Sequence, residues 1–224
     1  MTRDDLVLPR LSICQANTPQ RKKAELTYVE GLDESMLFNT VSGEIYGQEV
    51  TVIPLFFFRQ RMYFAPLAEG GGILCQSQNG LDGGRLHPSD CATCSHAQFK
   101  NEGDDSRPDC QLLLNYMCLL PSGDPIVFSL KSTGLKAAKQ LNAQIRMSKL
   151  DMFAKTLNIR VVSQTKNNNQ FWAPQLKWAD FVPEELYTAA QQMFSDLRGK
   201  NINLDTKGLD TEPGSDEAPA NVPF

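Results

Sequence analysis

The chain is poor in histidine, with two in 224 residues, His87 and His96. Both fall in one polar loop, where a Ser-His-Asp arrangement is hard to build. The sequence also lacks a Gly-Lys-Ser/Thr phosphate loop and a Gly-x-Ser-x-Gly nucleophile elbow. Its carboxylates crowd into a loop and the tail rather than strand ends. These absences argue against an enzyme. No apolar run approaches the roughly 20 residues that cross a bilayer, so no membrane partner is expected. The start, Met1-Thr-Arg-Asp-Asp-Leu, has no apolar signal region, and a cytoplasmic protein is expected. Net positive charge is missing too: 22 basic and 26 acidic residues sum to −4.

The distribution of that charge matters more than its sum. Residues 201–224 hold Asp205, Asp210, Glu212, Asp216 and Glu217 against Lys207, a net −4, so residues 1–200 are neutral. Within them, 131–177 carries Lys131, Lys136, Lys139, Arg146, Lys149, Lys155, Arg160, Lys166 and Lys177 against Asp151 alone, a net +8. A basic block ahead of an acidic tail points to a polyanion partner; the plain alternative is a solvated basic face.

Hydrophobic residues make up 41% of the chain, enough for a core. Residues 7–14 read as a short edge strand, because Pro9 cannot donate to a ladder. Residues 17–40 read as loop. β signal is strong from Glu44 to Phe64, with a break at Gly47. Further strands are expected at 111–120 and 126–131, then a helix at 134–146 with Leu135, Ala138, Leu141 and Ile145 at helical spacing. Residues 147–156 suggest another helical turn or two. A hairpin follows, 158–166 and 171–178 around Asn167-Asn168-Asn169, and a last helix spans 183–198 with Pro183 in its first turn. The fold class is therefore mainly β with a few helices. Five strands with a helix between the third and fourth are the plan of an OB-fold, a five-stranded Greek-key barrel. One folded domain, 1–200, is expected, then a disordered acidic tail at 201–224.

Residues 76–109 hold too few aliphatic side chains for a core and need a tie. Cysteines supply a candidate. Cys91-Ala-Thr-Cys94 is a C-x₂-C pair, with Cys75 16 positions before it and Cys110 16 after it. Two thiolates from such a turn and two from flanking strand ends suit one tetrahedral zinc, structural because no coordination position stays open. The metal would give the loop at 75–110 the centre it lacks. His87 and His96 are alternative donors in the same loop. Disulfides are the rival reading, without a secretion signal to favour them; a redox pair would lack its βαβ context. Cys14 and Cys118 sit in apolar strands and read as core.

Strand parity sorts the residues from 50 to 63. Val50, Val52, Phe56 and Phe58 face one way. Thr51, Ile53, Leu55, Phe57, Arg59, Arg61 and Tyr63 face the other. The sequence of ring, Arg, Arg, ring suits a single nucleic-acid strand, with rings on bases and guanidiniums on phosphates. In the late hairpin Arg160, Gln164 and Lys166 share one parity. Phe171 and Lys177 share one parity in the partner strand, opposite to Trp172, Leu176 and Trp178. Candidate DNA contacts are thus Arg59, Arg61, Tyr63, Lys131, Lys136, Arg160, Lys166, Phe171, Trp172 and Lys177; the bland fate of Phe57, Trp172 and Trp178 is the core. In the tail, Asp216, Glu217 and Phe224 form an acidic, ring-ended tip suited to an apolar pocket with a basic rim, or else an inert solubilising end.

Ser42-Gly-Glu-Ile-Tyr-Gly47, Pro54-Leu-Phe-Phe-Phe-Arg59, the loop Cys75…Cys91-x₂-Cys94…Cys110 and Ser129-Leu-Lys-Ser-Thr133 together carry a resemblance. The chain resembles the OB-fold single-stranded DNA-binding proteins of tailed bacteriophages over about residues 7–198. Its end, Asp216-Glu…Val-Pro-Phe224, is similar to the acidic, Phe-ended tips of bacterial and phage single-strand binders. In that group an inserted zinc loop often includes a histidine ligand; here four cysteines are offered. The resemblance implies a protein that coats single-stranded DNA in phage replication or recombination, in the host cytoplasm, and recruits replication or recombination proteins through its tail. The alternative is a zinc-containing duplex-DNA-binding regulator of transcription or recombination, with helix 134–146 as its recognition helix.

Overall fold

The structure, a computed structural model, describes residues 8–66, 72–82, 90–98, 108–166 and 169–198, apart from the side chains of Lys166 and Asn169. Nine strands and two α-helices organise them. The strands are β1 (Arg10–Ile13), β2 (Leu37–Asn39), β3 (Ile45–Gly47), β4 (Glu49–Phe64), β5 (Ile73–Ser77), β6 (Cys110–Leu119), β7 (Pro125–Leu130), β8 (Lys155–Lys166) and β9 (Asn169–Phe181); the helices are α1 (Gly134–Ser148) and α2 (Glu184–Leu197). Gly47, at φ +77°, makes the break that separates β3 from β4.

One sheet runs β3-β2-β1-β7-β6-β4-β8-β9, and β5 adds to β4 beyond that path. β4 is long enough to serve two neighbours: Glu49–Val52 pair with β8, and Ile53–Tyr63 with β6. All ladders are antiparallel except β1 with β7. β1 is therefore an interior strand between β2 and β7, not the edge strand that Pro9 suggests. The proline lies just before β1, and its carbonyl accepts from Val127 N–H at 2.9 Å.

The sheet curls around a main core. Val50 and Val52, Leu114, Tyr116 and Cys118, Ile126, Phe128 and Leu130, and Leu157, Ile159 and Val161 point inward, with Ala138, Leu141 and Ile145 of α1 among them. Tyr116, fully buried, has its hydroxyl 2.8 Å from Asn142 Oδ1. A second core lies on the outer face. There α2 and the short 3₁₀ turn Met152–Ala154 cover Ile53, Leu55, Met117, Leu119 and Val127, with Phe153 packed on Tyr187 and Phe194.

Three expectations change in detail. Residues 152–154 form a 3₁₀ turn, and the chain is extended from Lys155 onward, so the hairpin is longer than its apolar alternation indicates. Pro183 caps α2 from outside instead of opening its first turn. The simple parity of β4 fails at a bulge between Pro54 and Phe56. One extra residue flips the face, so Val50 and Val52 enter the main core while Phe56 and Phe58 pack on the outer one. Likewise Ile53 and Leu55 belong to the outer core, away from Phe57, Arg59 and Arg61. Among the described residues no helix is long and apolar enough to cross a membrane.

Candidate nucleic-acid interface

Beyond the bulge, β4 alternates cleanly. Gln60 and Met62 are fully buried, whereas Arg59 is exposed and Arg61 and Tyr63 are half-buried on the other face. Register aligns Phe57 with Tyr116, Arg59 with Leu114, Arg61 with Leu112 and Tyr63 with Cys110. Leu114 in turn pairs with Leu130 of β7. Arg59 therefore stands two strand spacings, about 10 Å, from Leu130 on one face. Gly80 presses against Arg59: a Cβ there would lie 3.2 Å from Arg59 Cβ. Phe57 is 39% exposed, unlike the buried ring expected of most aromatics in a β domain.

Tyr63 has a different neighbour from the one its sequence suggests. Its ring stacks on His96, with centroids 4.7 Å apart and planes 22° off parallel. His96 Nδ1 lies 3.1 Å from Asp109 Oδ2. One face of Tyr63 is thus occupied by the chain's own loop.

The same residue marks the cysteine neighbourhood. Tyr63 is registered with Cys75 on β5 and with Cys110 on β6, one on each side of it, so all three side chains share a face. Cys91 is tied in from the loop, its N–H donating to Leu81 O at 2.7 Å and its thiol to Asp82 O at 3.2 Å. Burial pushes the Cys110 thiol up to about 11; the Arg61 guanidinium opposes this, and the charges of Cys91, Cys75 and Cys94 add to it. Cys75, Cys91 and Cys94 thus each lie within electrostatic reach of Cys110, and none of the four is in a disulfide. Even so, among the described residues no three donors are gathered closely enough to hold a metal ion, and the Tyr63 ring stands between the two outer cysteines. His87 lies outside the described residues. Cys14 and Cys118 are fully buried core thiols, and burial pushes Cys14 up to about 11 and Cys118 higher still.

In the late hairpin the register sets Asn158 opposite Lys177, Arg160 opposite Gln175, Gln164 opposite Phe171 and Lys166 opposite Asn169. Of these, Asn158, Arg160, Gln164, Phe171, Gln175 and Lys177 share the outward face. Leu157, Ile159 and Val161, with Trp178, Leu176 and Pro174 opposite them, take the inward one. Arg160 and Lys177 are exposed, and Arg160 Nε is 3.9 Å from Glu49 Oε2. Trp172 and Trp178 pack against the main core, the plain fate of such rings. Lys136 is exposed on α1, apart from the hairpin's outward face.

Lys131, Phe171 and Trp172 come together. With Arg10, Ser12, Ile13, Gln15, Ser129, Thr133 and Gly134 they belong to the wall of one cleft of about 60 Å³. That space holds a few waters or one small anion, not a base. Three residues escape the sequence reading here. Arg10 is 2% exposed inside an apolar strand, and a charge at that position was the available signal. Gln15 carried none, and Ser129 stood only within the Ser129–Thr133 motif, without a role of its own. Lys155, whose Nζ lies 4.6 Å from the exposed Phe181 ring, adds a cation and ring pair at the hairpin's other end.

The family model of the Pam3 phage gp34-like protein matches residues 1–203. The chain belongs to this phage family. No curated protein and no solved structure matches it. As a gp34-like protein it is phage-associated, and the match spans every described element, from β1 to α2. Asp216, Glu217 and Phe224 lie beyond the match and outside the described residues.

Proposed function

We propose that this gp34-like protein is a non-enzymatic single-stranded DNA-binding protein of a phage replication or recombination system. It coats and protects single strands and recruits replication or recombination proteins through Asp216, Glu217 and Phe224. The observation that carries this reading is the outward face of β8 and β9. Arg160 and Lys177 stand exposed there with Phe171 on the same side, next to the cleft that contains Lys131. Cations beside a ring are what a sequence-tolerant strand binder needs: charge for phosphates and a flat surface for bases.

Topology supports the same reading. The path β7-β6-β4-β8-β9, with α1 between β7 and β8 and β4 shared by both halves, follows the OB plan of strands three-two-one-four-five. In that plan the first loop joins β4 to β6 and holds the cysteines, while the last hairpin turn joins β8 to β9. Both border ligand in oligonucleotide-binding barrels. The outer face of β4 and β6, however, lies partly under α2. This favours the loops and the β8–β9 face over the sheet's middle.

A structural zinc on Cys75, Cys91, Cys94 and Cys110 belongs to this proposal. What supports it is donor type, donor number and shared neighbourhood; the ion would cross-link β5, β6 and the loop.

The test is tryptophan fluorescence titrated with oligothymidylate and with duplex of the same length, at two salt concentrations. Preference for the single strand, weakening steeply with salt, is expected. Equal or tighter duplex binding would favour a duplex-reading regulator, in which the exposed Lys136, Lys139 and Arg146 of α1 make the contacts.

A further inference from the structure

We propose that Glu49 occupies the seat of one backbone phosphate on the β8–β9 face, and that the bound strand displaces it. This rests on the single-stranded DNA reading; it adds Asn158 to the contacts and gives the face a built-in competitor. Register sets the seat. Glu49 and Thr51 of β4 pair with Arg160 and Asn158 of β8, which pair in turn with Gln175 and Lys177 of β9. Paired residues on neighbouring strands point to one side, and so do residues two apart along a strand. These side chains therefore form two adjacent rows across three strands on the outward face. Val50, Ile159 and Leu176, which lie between them, turn to the main core.

The contacts show what the seat selects. Asn158 Nδ2 donates to Glu49 Oε1 at 2.7 Å and to Thr51 Oγ1 at 3.4 Å. Arg160 Nε lies 3.9 Å from Glu49 Oε2. An amide and a guanidinium thus converge on the two oxygens of one anion, beside the Lys177 position on the next strand. A phosphodiester also offers two oxygens that share one negative charge, so donors that hold the carboxylate suit it as well. Glu49, Arg160 and Lys177 are exposed, which leaves the seat open to a strand. The Glu49–Arg160 pair is long and solvated, a kind that contributes little, so exchanging it for a phosphate costs little. Glu49 weakens strand binding while it holds Asn158 and Arg160 in place for the phosphate.

The experiment uses the full chain and oligothymidylate. Glu49→Gln keeps the shape and an acceptor for Asn158 but removes the charge. It should tighten binding about threefold at low salt, because Arg160 no longer has to leave a carboxylate. The gain should shrink as salt screens the charges. The log–log salt slope should steepen by up to about 0.7, the share of one phosphate. Asn158→Asp, equal in size, sets a second carboxylate in the seat and should weaken binding by about threefold. Opposite shifts from two isosteric changes are not what misfolding produces. In an Arg160→Ala background the gain from Glu49→Gln should be smaller, since the two residues act on one seat. Glu185→Gln removes the same charge from the exposed side of α2 and should leave affinity near wild type.

Unchanged or weaker binding in Glu49→Gln would overturn the competitor and leave strand binding intact. Equal tightening by Glu185→Gln would overturn it too, since net charge alone would then account for the gain. Absence of oligothymidylate binding in both wild type and Glu49→Gln would instead overturn the strand as ligand.

Discussion

The side chain of Gln15 closes the sheet upon the backbone of Trp172, 157 positions later. Its Nε2 donates to Trp172 O at 2.7 Å, and Trp172 N–H donates to its Oε1 at 3.1 Å. Gln15 is itself fixed, because its own N–H donates to Thr18 Oγ1 at 2.8 Å. One amide thus takes the part of a ladder between the β1 end of the sheet and its last strand. Gln15→Leu keeps the volume but leaves both Trp172 groups without partners. It should cost about 1–3 kcal/mol for each buried group left unpaired. The urea midpoint should fall with little change in slope, and the Trp172 amide should exchange faster. An unchanged midpoint would show that the seam is held elsewhere.

The cysteines separate into two chemical classes. Purified protein is expected to carry about one zinc per chain, measured by elemental analysis of freshly reduced material. Cys91→Ser should lower the metal content, whereas Cys14→Ala and Cys118→Ala should not. Burial raises Cys14 and Cys118, so their thiolate fraction at neutral pH is far below that of an ordinary thiol. They and the likewise raised Cys110 should resist alkylation in the native state, while the half-buried Cys75 and Cys94 should react once metal is chelated. Metal-free protein with full stability would remove zinc from the description.

Arg160→Ala and Lys177→Ala should each weaken single-strand binding and flatten its salt dependence by about 0.7 for every phosphate no longer neutralised. Arg59→Ala and Arg61→Ala should do the same if the strand continues along β4. Phe171→Ala should instead lose about 1–3 kcal/mol of stacking with the slope nearly unchanged. Tyr63→Ala differs from all of these. Because His96 already covers one ring face, its first effect should be on proteolysis of the cysteine loop. Wild-type binding in every one of these variants would remove both faces as the DNA surface.

Local pattern carried much of this fold. Alternation along β6, β7 and the β8–β9 hairpin, the helical spacing of α1 and the C-x₂-C pair are all short-range signals, and the strands and helix lie close to where their patterns place them, the hairpin running longer, from Lys155 to Phe181. Longer-range features were not legible. The bulge at Pro54–Phe56 adds one residue and reverses parity, without a glycine to mark it. The place of β1 depends on β7, well over a hundred positions away, so Pro9 misdirected it to an edge. Stacking of His96 on Tyr63 and the join of Gln15 to Trp172 depend on loops whose paths have no periodicity. For the candidate interface, parity grouped Arg160 with Lys166 on one strand and Phe171 with Lys177 on the next, and only the register of the hairpin puts Arg160, Phe171 and Lys177 on one face. Parity had no means of showing that Lys131 and Arg10 would line one cleft.

Residues 201–224 carry a net −4 while 131–177 carries +8. A tethered acidic segment competes with DNA for the same cations, since the tether keeps its effective concentration high. Deleting 201–224 should therefore tighten single-strand binding. The gain should be larger at low ionic strength, because the competition that the deletion removes is screened over about 10 Å at 0.1 M salt. The same deletion should abolish recruitment of partner proteins, since Asp216, Glu217 and Phe224 go with it. Removing Phe224 alone separates the two roles: it takes away the apolar anchor but no acidic side chain. Partner docking should fall while DNA affinity stays near wild type. Titrations of full-length and tail-less protein across about 20–200 mM salt, roughly a threefold range in screening length, check the competition, and equal affinity throughout would refute it.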